Sequence, residues 1–327
     1  MGYVPPFSLT VEMLDLISEI SEMLGSIKGV ESLDKLPRLR RIGRIRTIHS
    51  SLAIENNTLS IEQVTDIVDG KRVLGPPDEI LEVKNAISAY NELGEIDAFD
   101  MNDLLHVHKI LMEGLIGENG KLRTVDVGVY NSDGKRLLTP PEPAMLPGYM
   151  NDLFEWLRTS NVHILIRSSI FHTEFERIHP FRDGNGRMGR LWQTALLMKW
   201  KPIFAWIPVE SIIRERQTEY YRTLMESQKG SDVNVFIVFM LEAIRDAVKA
   251  IVSDTQVHID HIDDRIRRLM AVLEVYPQSA TELMERLNLR SRDAFRNNYL
   301  NPAIDAGLVM LTEPNKPTSK NQRYCKR

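Results

Sequence analysis

Apolar residues recur along this chain with a helical period. Between Leu9 and Leu24 they fall at 9, 13, 16, 17, 20 and 24, which lines them up as one stripe of a helix. Pro37 can open the next helix, which carries Ile42, Ile45, Ile48 and Leu52 toward Asn56-Asn57. Ser60-Ile-Glu-Gln63 has the form of a capping box, so a further helix starts there and ends near Gly70. Gly75-Pro-Pro77 is a break. Helix then runs over 78–93, and Asp100 starts another containing Leu104, Leu105, Val107 and Leu111.

Alternation with period two appears in the middle of the chain. Val125, Val127 and Val129 alternate with other residues, Asn131-Ser-Asp-Gly134 offers turn chemistry, and Lys135-Arg-Leu-Leu138 follows. This predicts a short β-hairpin, ended by Pro140-Pro141. Helices resume over 147–158 and 163–178, continue after residues 179–190 through Leu191 to Trp200, and cover 211–227 and 232–252. The expectation is an all-α architecture with one hairpin.

Composition narrows this picture. The chain has 327 residues, long for one domain, and its 43% hydrophobic content suits a packed soluble protein. The single cysteine, Cys325, cannot form an internal disulfide, which points to a reducing compartment. The first residues lack the basic start and apolar run of a signal peptide. The apolar run Val235–Leu241 is too short to span a bilayer. A cytoplasmic location with no membrane partner is therefore expected. Net charge is −4, but residues 265–327 carry twelve Lys/Arg against six Asp/Glu. A basic tail on an acidic body points weakly to nucleic acid.

One twelve-residue stretch gathers the parts of a phosphoryl-type transfer site: His179-Pro-Phe-Arg-Asp-Gly-Asn-Gly-Arg-Met-Gly-Arg190. Gly184 and Gly186 permit close backbone approach to a ligand. They lead into a helix whose first N–H groups suit a phosphate. Arg187 and Arg190, three apart, can reach one anion from the first turn. Asp183 is a hard oxygen ligand suited to Mg²⁺ held jointly with phosphate oxygens. His179 titrates near neutrality and can take a proton from an attacking hydroxyl.

The stretch resembles the motif of the Fic (filamentation induced by cAMP) family, His-Pro-Phe-x-(Asp/Glu)-Gly-Asn-Gly-Arg-x-x-Arg, at every fixed position. The resemblance implies a helical core with a β-hairpin flap and transfer of AMP from ATP to a Ser, Thr or Tyr hydroxyl of a protein. It makes His179 the base and Asp183 the Mg²⁺ ligand. Gly184, Asn185 and Gly186 would cradle the phosphates, Asn185 also with its amide. Arg187 and Arg190 would clamp the β- and γ-phosphates, and Phe181 would anchor the loop. The hairpin near Lys135 to Leu138, with Leu137 and Leu138, would pair with the target segment. Tyr220 and Gln228 fall where the family contacts the nucleoside, or else simply pack the core. Gly186 and Arg190 separate the chain from the related kinase toxins, whereas phosphocholine-transferring relatives stay open.

Ser51-Leu-Ala-Ile-Glu55-Asn56 resembles the family's inhibitory motif, (Ser/Thr)-x-x-x-Glu-(Gly/Asn), in the class with an N-terminal inhibitory helix. Glu55 would then pair with Arg190 and hold the enzyme off. Glu55 could also align water for AMP removal. Residues 265–327 read as three helices and a hairpin, similar to the winged helix-turn-helix domains fused to many Fic proteins. In that likeness Arg290, Arg292 and Arg296 face DNA, or the unit docks protein. The expected division is 1–95 for the N-terminal helical region, 96–255 for the catalytic domain and 262–327 for the winged helix. A homodimer is open. The competing reading is a DNA-binding regulator whose Fic site senses nucleotide or modifies itself.

Overall fold

The computed structural model describes residues 3–26, 37–130, 136–230, 232–260, 264–314, 316, 319 and 321–326. The chain divides into two compact units, Met1–Gly25 with Ile42–Lys249, and Ser26–Arg41 with Ala250–Arg327. Among the described residues no helix is long and apolar enough to cross a membrane.

The first half follows the apolar pattern. Helix α1 (Val11–Ser26) buries Met13, Leu16, Ile20 and Leu24. Leu9 lies ahead of the helix and is exposed, because irregular chain there no longer turns it toward the stripe. Helix α2 (Pro37–Ile54) opens at Pro37 and buries Ile45, Ile48 and Leu52. Helix α3 (Ile61–Val68) is started by the capping box: Ser60 Oγ accepts from Gln63 N–H, and Gln63 returns an acceptor to Ser60 N–H. Helices α4 (Pro77–Glu92) and α5 (Met101–Leu111) follow.

The hairpin is shorter than the alternation predicts. Strand β1 is Val129–Tyr130 and β2 is Arg136–Leu138, antiparallel, with Val129 opposite Leu138. Val125 and Val127 stay out of the ladder. The reason is Arg123, whose guanidinium holds the carbonyls of Val125 and Pro141 and so shapes the approach as a loop. The turn at 131–134 and Lys135 lie outside the described residues.

Helices α6 (Leu146–Thr159), α7 (Ile164–Ile178) and α8 (Asn185–Trp200) carry the centre of the first unit. Helix α7 is buried on all sides, so its polar side chains must be satisfied internally. Ser168 and Ser169 donate to Leu165 O, and His172 bonds both Gln193 and Tyr220. Helices α9 (Val209–Glu215), α10 (Gln217–Lys229) and α11 (Asn234–Asp260) complete the series.

In the second unit, α12 (Asp264–Val272), α13 (Ala280–Arg286) and a broken helix surround Leu269, Leu273, Leu283, Phe295 and Leu300. The third of the expected helices is broken into α14 (Arg292–Phe295), a π segment at Arg296–Leu300 and α15 (Asn301–Asp305). Pro302 has no N–H to continue the regular ladder, and the wider π turn absorbs that loss. Strands β3 (Gln278–Ser279), β4 (Val309–Leu311) and β5 (Arg323–Lys326) form an antiparallel sheet in the order β3-β5-β4. Strand β3 was not foreseen; a two-residue strand carries too little alternation to detect.

Candidate active site

The loop between α7 and α8 is built by a stop, an anchor and a restart. His179 ends α7 in the left-handed region, with φ 49° and ψ 61°. Pro180 follows, and a residue before proline is pushed out of the helical region. A left-handed non-glycine residue is strained, so its surroundings must hold it. Arg123 does this: its Nε donates to His179 O at 2.9 Å, while its own N–H donates to Pro180 O.

Phe181 is the anchor. Its ring is buried and stacks on His108 at 3.5 Å between centroids. Both of its backbone groups are taken by Asn185: Oδ1 accepts from Phe181 N–H at 2.9 Å, and Nδ2 donates to Phe181 O at 2.8 Å. The Asn185 amide therefore closes the loop instead of extending toward a ligand. His108 Nδ1 accepts from Gly120 N–H, which leaves Nε2–H to donate to Asp183 O at 3.1 Å. Burial holds His108 neutral, lowering its pKa to about 4. Gly184, at φ 83°, caps α8, and a side chain there would collide with Met112.

The tautomer of His179 is set by a backbone carbonyl. Nδ1 lies 3.3 Å from Glu176 O, and a carbonyl only accepts, so the proton sits on Nδ1 and Nε2 keeps its lone pair. Burial lowers the His179 pKa and Arg123 adds to the effect, against the Glu176 carbonyl and the carboxylates of Glu55 and Asp183. Glu176 is buried beside it, with Oε2 3.9 Å from Nδ1. Burial raises its pKa to about 8, with Arg190 pulling down and Glu55 pushing up, so its carboxyl is neutral at pH 7.

Arg190 is almost wholly enclosed. Its Nε donates to Ser51 Oγ at 3.2 Å, and Nη2 donates to Ser51 O at 3.0 Å and to Glu55 Oε1 at 2.7 Å. Burial opposes the charge on Arg190, and the Glu55 carboxylate together with Tyr220 and Tyr221 raises its pKa overall. Gly186 faces the same carboxylate, and a Cβ there would strike Glu55 Oε1. Glu55 thus occupies the space directly above the start of α8.

This geometry meets independent likenesses. Residues 98–197 match the Fic/DOC family, and residues 264–325 match the C-terminal domain of filamentation induced by cAMP protein Fic-like. The crystal structure of a Fic family protein from Desulfovibrio desulfuricans G20 aligns with TM-score 0.76 and 45% identity, covering 99% of this chain and 98% of that one. The chain belongs to the Fic family. Protein adenylyltransferase Fic of Nematostella vectensis is 28% identical over 64% of this chain, which spans 49% of that protein. A probable protein adenylyltransferase of Aquifex aeolicus is 26% identical over 75% of this chain and 76% of its own length.

The rest of the Fic site falls around this centre. Arg187 is 7% exposed; Nη1 donates to Glu82 Oε1 at 2.6 Å and Nη2 to Asp183 Oδ1 at 3.3 Å. Asp183 has an exposed carboxylate, and Oδ1 also accepts from Gly184 N–H. Among the described residues no group of three or more His, Cys, Asp or Glu converges as a metal site. One hard carboxylate, exposed at the start of α8, fits Mg²⁺ whose other ligands would come from substrate and water. Tyr220 is 1% exposed, its hydroxyl bonded to His172 Nε2 and its ring against Phe236 and Phe239, so core packing accounts for it. Gln228 lies on α10, half-buried. Leu137 and Leu138 lie on β2 of the flap.

Arg123, His108, Glu82 and Glu176 were missed by sequence reasoning. Each acts on the motif from elsewhere in the fold or from the preceding turn, and none sits in a local pattern that marks it.

Proposed function

We propose that this chain is an autoinhibited protein adenylyltransferase that moves AMP from ATP to a Ser, Thr or Tyr hydroxyl of a protein, itself included. The observation that carries the reading is Arg190, bound by Ser51 and Glu55 in the space above α8 where the motif would hold a triphosphate.

In the transfer, Nε2 of His179 takes the proton of the target hydroxyl. The hydroxyl oxygen bonds to the α-phosphorus, the bond from that phosphorus to the bridging oxygen breaks, and pyrophosphate leaves. The first N–H groups of α8 receive the phosphates, and Arg187 and Arg190 balance their charge. Asp183 would hold Mg²⁺, which supplies further charge neutralisation when bound with the nucleotide. The flap would align the target strand. With Glu55 in place, Arg190 is withheld and a negative charge stands where the terminal phosphate must lie. The nucleotide then binds with its α-phosphorus out of line for attack. The same carboxylate would orient water for AMP removal.

Labelled ATP and MgCl₂ test this. Glu55→Gly should label itself or a protein in a cell extract, and Glu55→Gly/His179→Ala should not. Labelling that survives loss of His179 removes the base assignment, and no labelling by Glu55→Gly removes the reading. Arg290, Arg292 and Arg296 are all exposed on the second unit, which supports a second, compatible reading: a winged helix that holds DNA. Retention on DNA that weakens steeply with salt would support it, and salt-insensitive or absent retention would end it. The lone Cys325 and the choice of ATP favour the cytoplasm as the site of action.

A further inference from the structure

We infer that Glu82 is a positioning residue for the first motif arginine, and that it ties this arginine to the segment carrying the brake. The inference rests on the nucleotide-transfer reading above. It starts from an asymmetry between two arginines of the same turn. Arg190 has its Nε–Nη2 edge consumed, by Ser51 at Nε and by Ser51 and Glu55 at Nη2. Arg187 carries its strong bond at Nη1, to Glu82 at 2.6 Å. Its Nη2 has only the longer bond to Asp183, and its buried Nε has no hydrogen-bond partner among the described residues.

A guanidinium binds an anion best with two parallel N–H groups. Glu82 holds Arg187 by the Nη1 corner, away from its Nε–Nη2 edge. Glu82 therefore orients Arg187 without a bond to that edge, whereas Ser51 and Glu55 take the same edge of Arg190. One arginine is braked and its neighbour is set.

The second oxygen of Glu82 reaches back to the brake. Oε2 accepts from Asn57 Nδ2 at 2.8 Å, and Asn57 lies two residues past Glu55. Asn57 is itself fixed: Nδ2 also donates to Glu79 O, and Oδ1 accepts from Leu59 N–H. One carboxylate thus spans the exit of α2 and the start of α8. Through Glu82, the segment that carries Glu55 is bonded to Arg187 as well.

The test uses the full chain and MgATP as probe. Calorimetry gives the Kd of Glu55→Gly and of Glu55→Gly/Glu82→Gln, and self-labelling at varied MgATP gives KM and the maximal rate. Gln at 82 keeps the shape but loses the charge and the acceptor for Asn57. The expected result is a Kd and KM raised about fivefold, the size of a partial loss of one charge-assisted hydrogen bond, with the maximal rate within about twofold. Equal Kd values overturn the inference. So does a lowered Kd, which would make Glu82 a second brake. Failure of Glu55→Gly itself to bind MgATP sinks the parent reading and this one with it. If Glu82→Gln does not fold, Glu55→Gly/Asn57→Ala serves. That variant keeps the Arg187 pair and cuts the tie, and its Kd should rise in the same direction by a smaller factor; no change overturns the tie.

Discussion

Replacing Glu55 by glycine removes one carboxylate from an arginine that has almost no water to turn to. The Arg190 side chain is 1% exposed, whereas Glu55 is 33% exposed. The bond between them, 2.7 Å long, is charge-assisted, and such bonds are worth about 1.5–3 kcal/mol net. Solvent reaches the carboxylate and screens part of it, so the lower part applies, about 1.5–2 kcal/mol. A triphosphate that must displace Glu55 meets that penalty. Its removal should strengthen productive nucleotide binding by about 10- to 30-fold. The same change should destabilise the free protein, because among the described residues Arg190 then keeps Ser51 alone as a hydrogen-bond partner and a buried cation is left less compensated. MgATP returns the missing anion. The assay is therefore paired: initial rate of self-labelling at low MgATP, and the thermal shift that MgATP produces. Glu55→Gly should label faster, melt lower without nucleotide, and gain more from MgATP than wild type. Glu55→Gln, which keeps the shape and drops the charge, should fall between. An unchanged labelling rate together with an unchanged MgATP shift would refute the reasoning, since both arise from the same displaced bond.

Gly186→Ala should destabilise wild type by about 1–3 kcal/mol through collision with Glu55, and the Glu55→Gly form by less than about 1 kcal/mol. Equal losses in the two backgrounds, measured by urea unfolding, would count against that contact. Arg123→Ala removes three carbonyl bonds around the strained His179 and should cost about 2–4 kcal/mol and at least about tenfold in labelling by Glu55→Gly; retained labelling would show that the loop holds its shape unaided. His108 has a folded pKa of about 4 against about 6.5 unfolded, so below pH 6.5 the unfolded chain takes a proton that the folded chain refuses. Stability held above pH 6.5 is then lost as pH falls toward 4. The gap between wild type and His108→Gln should close by up to about 3 kcal/mol over that range; a pH-independent gap would refute the neutral assignment. The His179 pKa is likewise lowered by burial, so the acid limb of labelling by Glu55→Gly should lie below the ordinary 6.5 of imidazole. A limb at or above 6.5 would point to another base.

Much of the helical order was legible because one-sided burial writes itself as a 3.6-residue period, as in Met13, Leu16 and Ile20 of α1. The hairpin was legible in kind but not in extent. Val125 alternates like a strand residue, yet Arg123 takes its carbonyl out of any ladder. The π segment at Arg296–Leu300 was not legible, since the strain that Pro302 imposes can be met by ending a helix or by widening it.

The sequence by itself determined the contents of the site. His179, Asp183, the glycine turn and two arginines lie within twelve residues, so chain connectivity alone brings them together. Glu55 was named as the partner of Arg190 only through a motif resemblance, because 135 residues separate the two and no local rule spans that distance; the bonds of Ser51 to Arg190 were not foreseen. Tertiary structure decided the supports: Arg123 on the His179 carbonyl, His108 under Phe181, Glu82 between Asn57 and Arg187. It also decided the use of each group, turning the Asn185 amide inward to Phe181 and enclosing Tyr220 in the core. The physical reason is the same throughout. Residue type sets which bonds a side chain can make, and packing from distant segments sets which of those bonds it has.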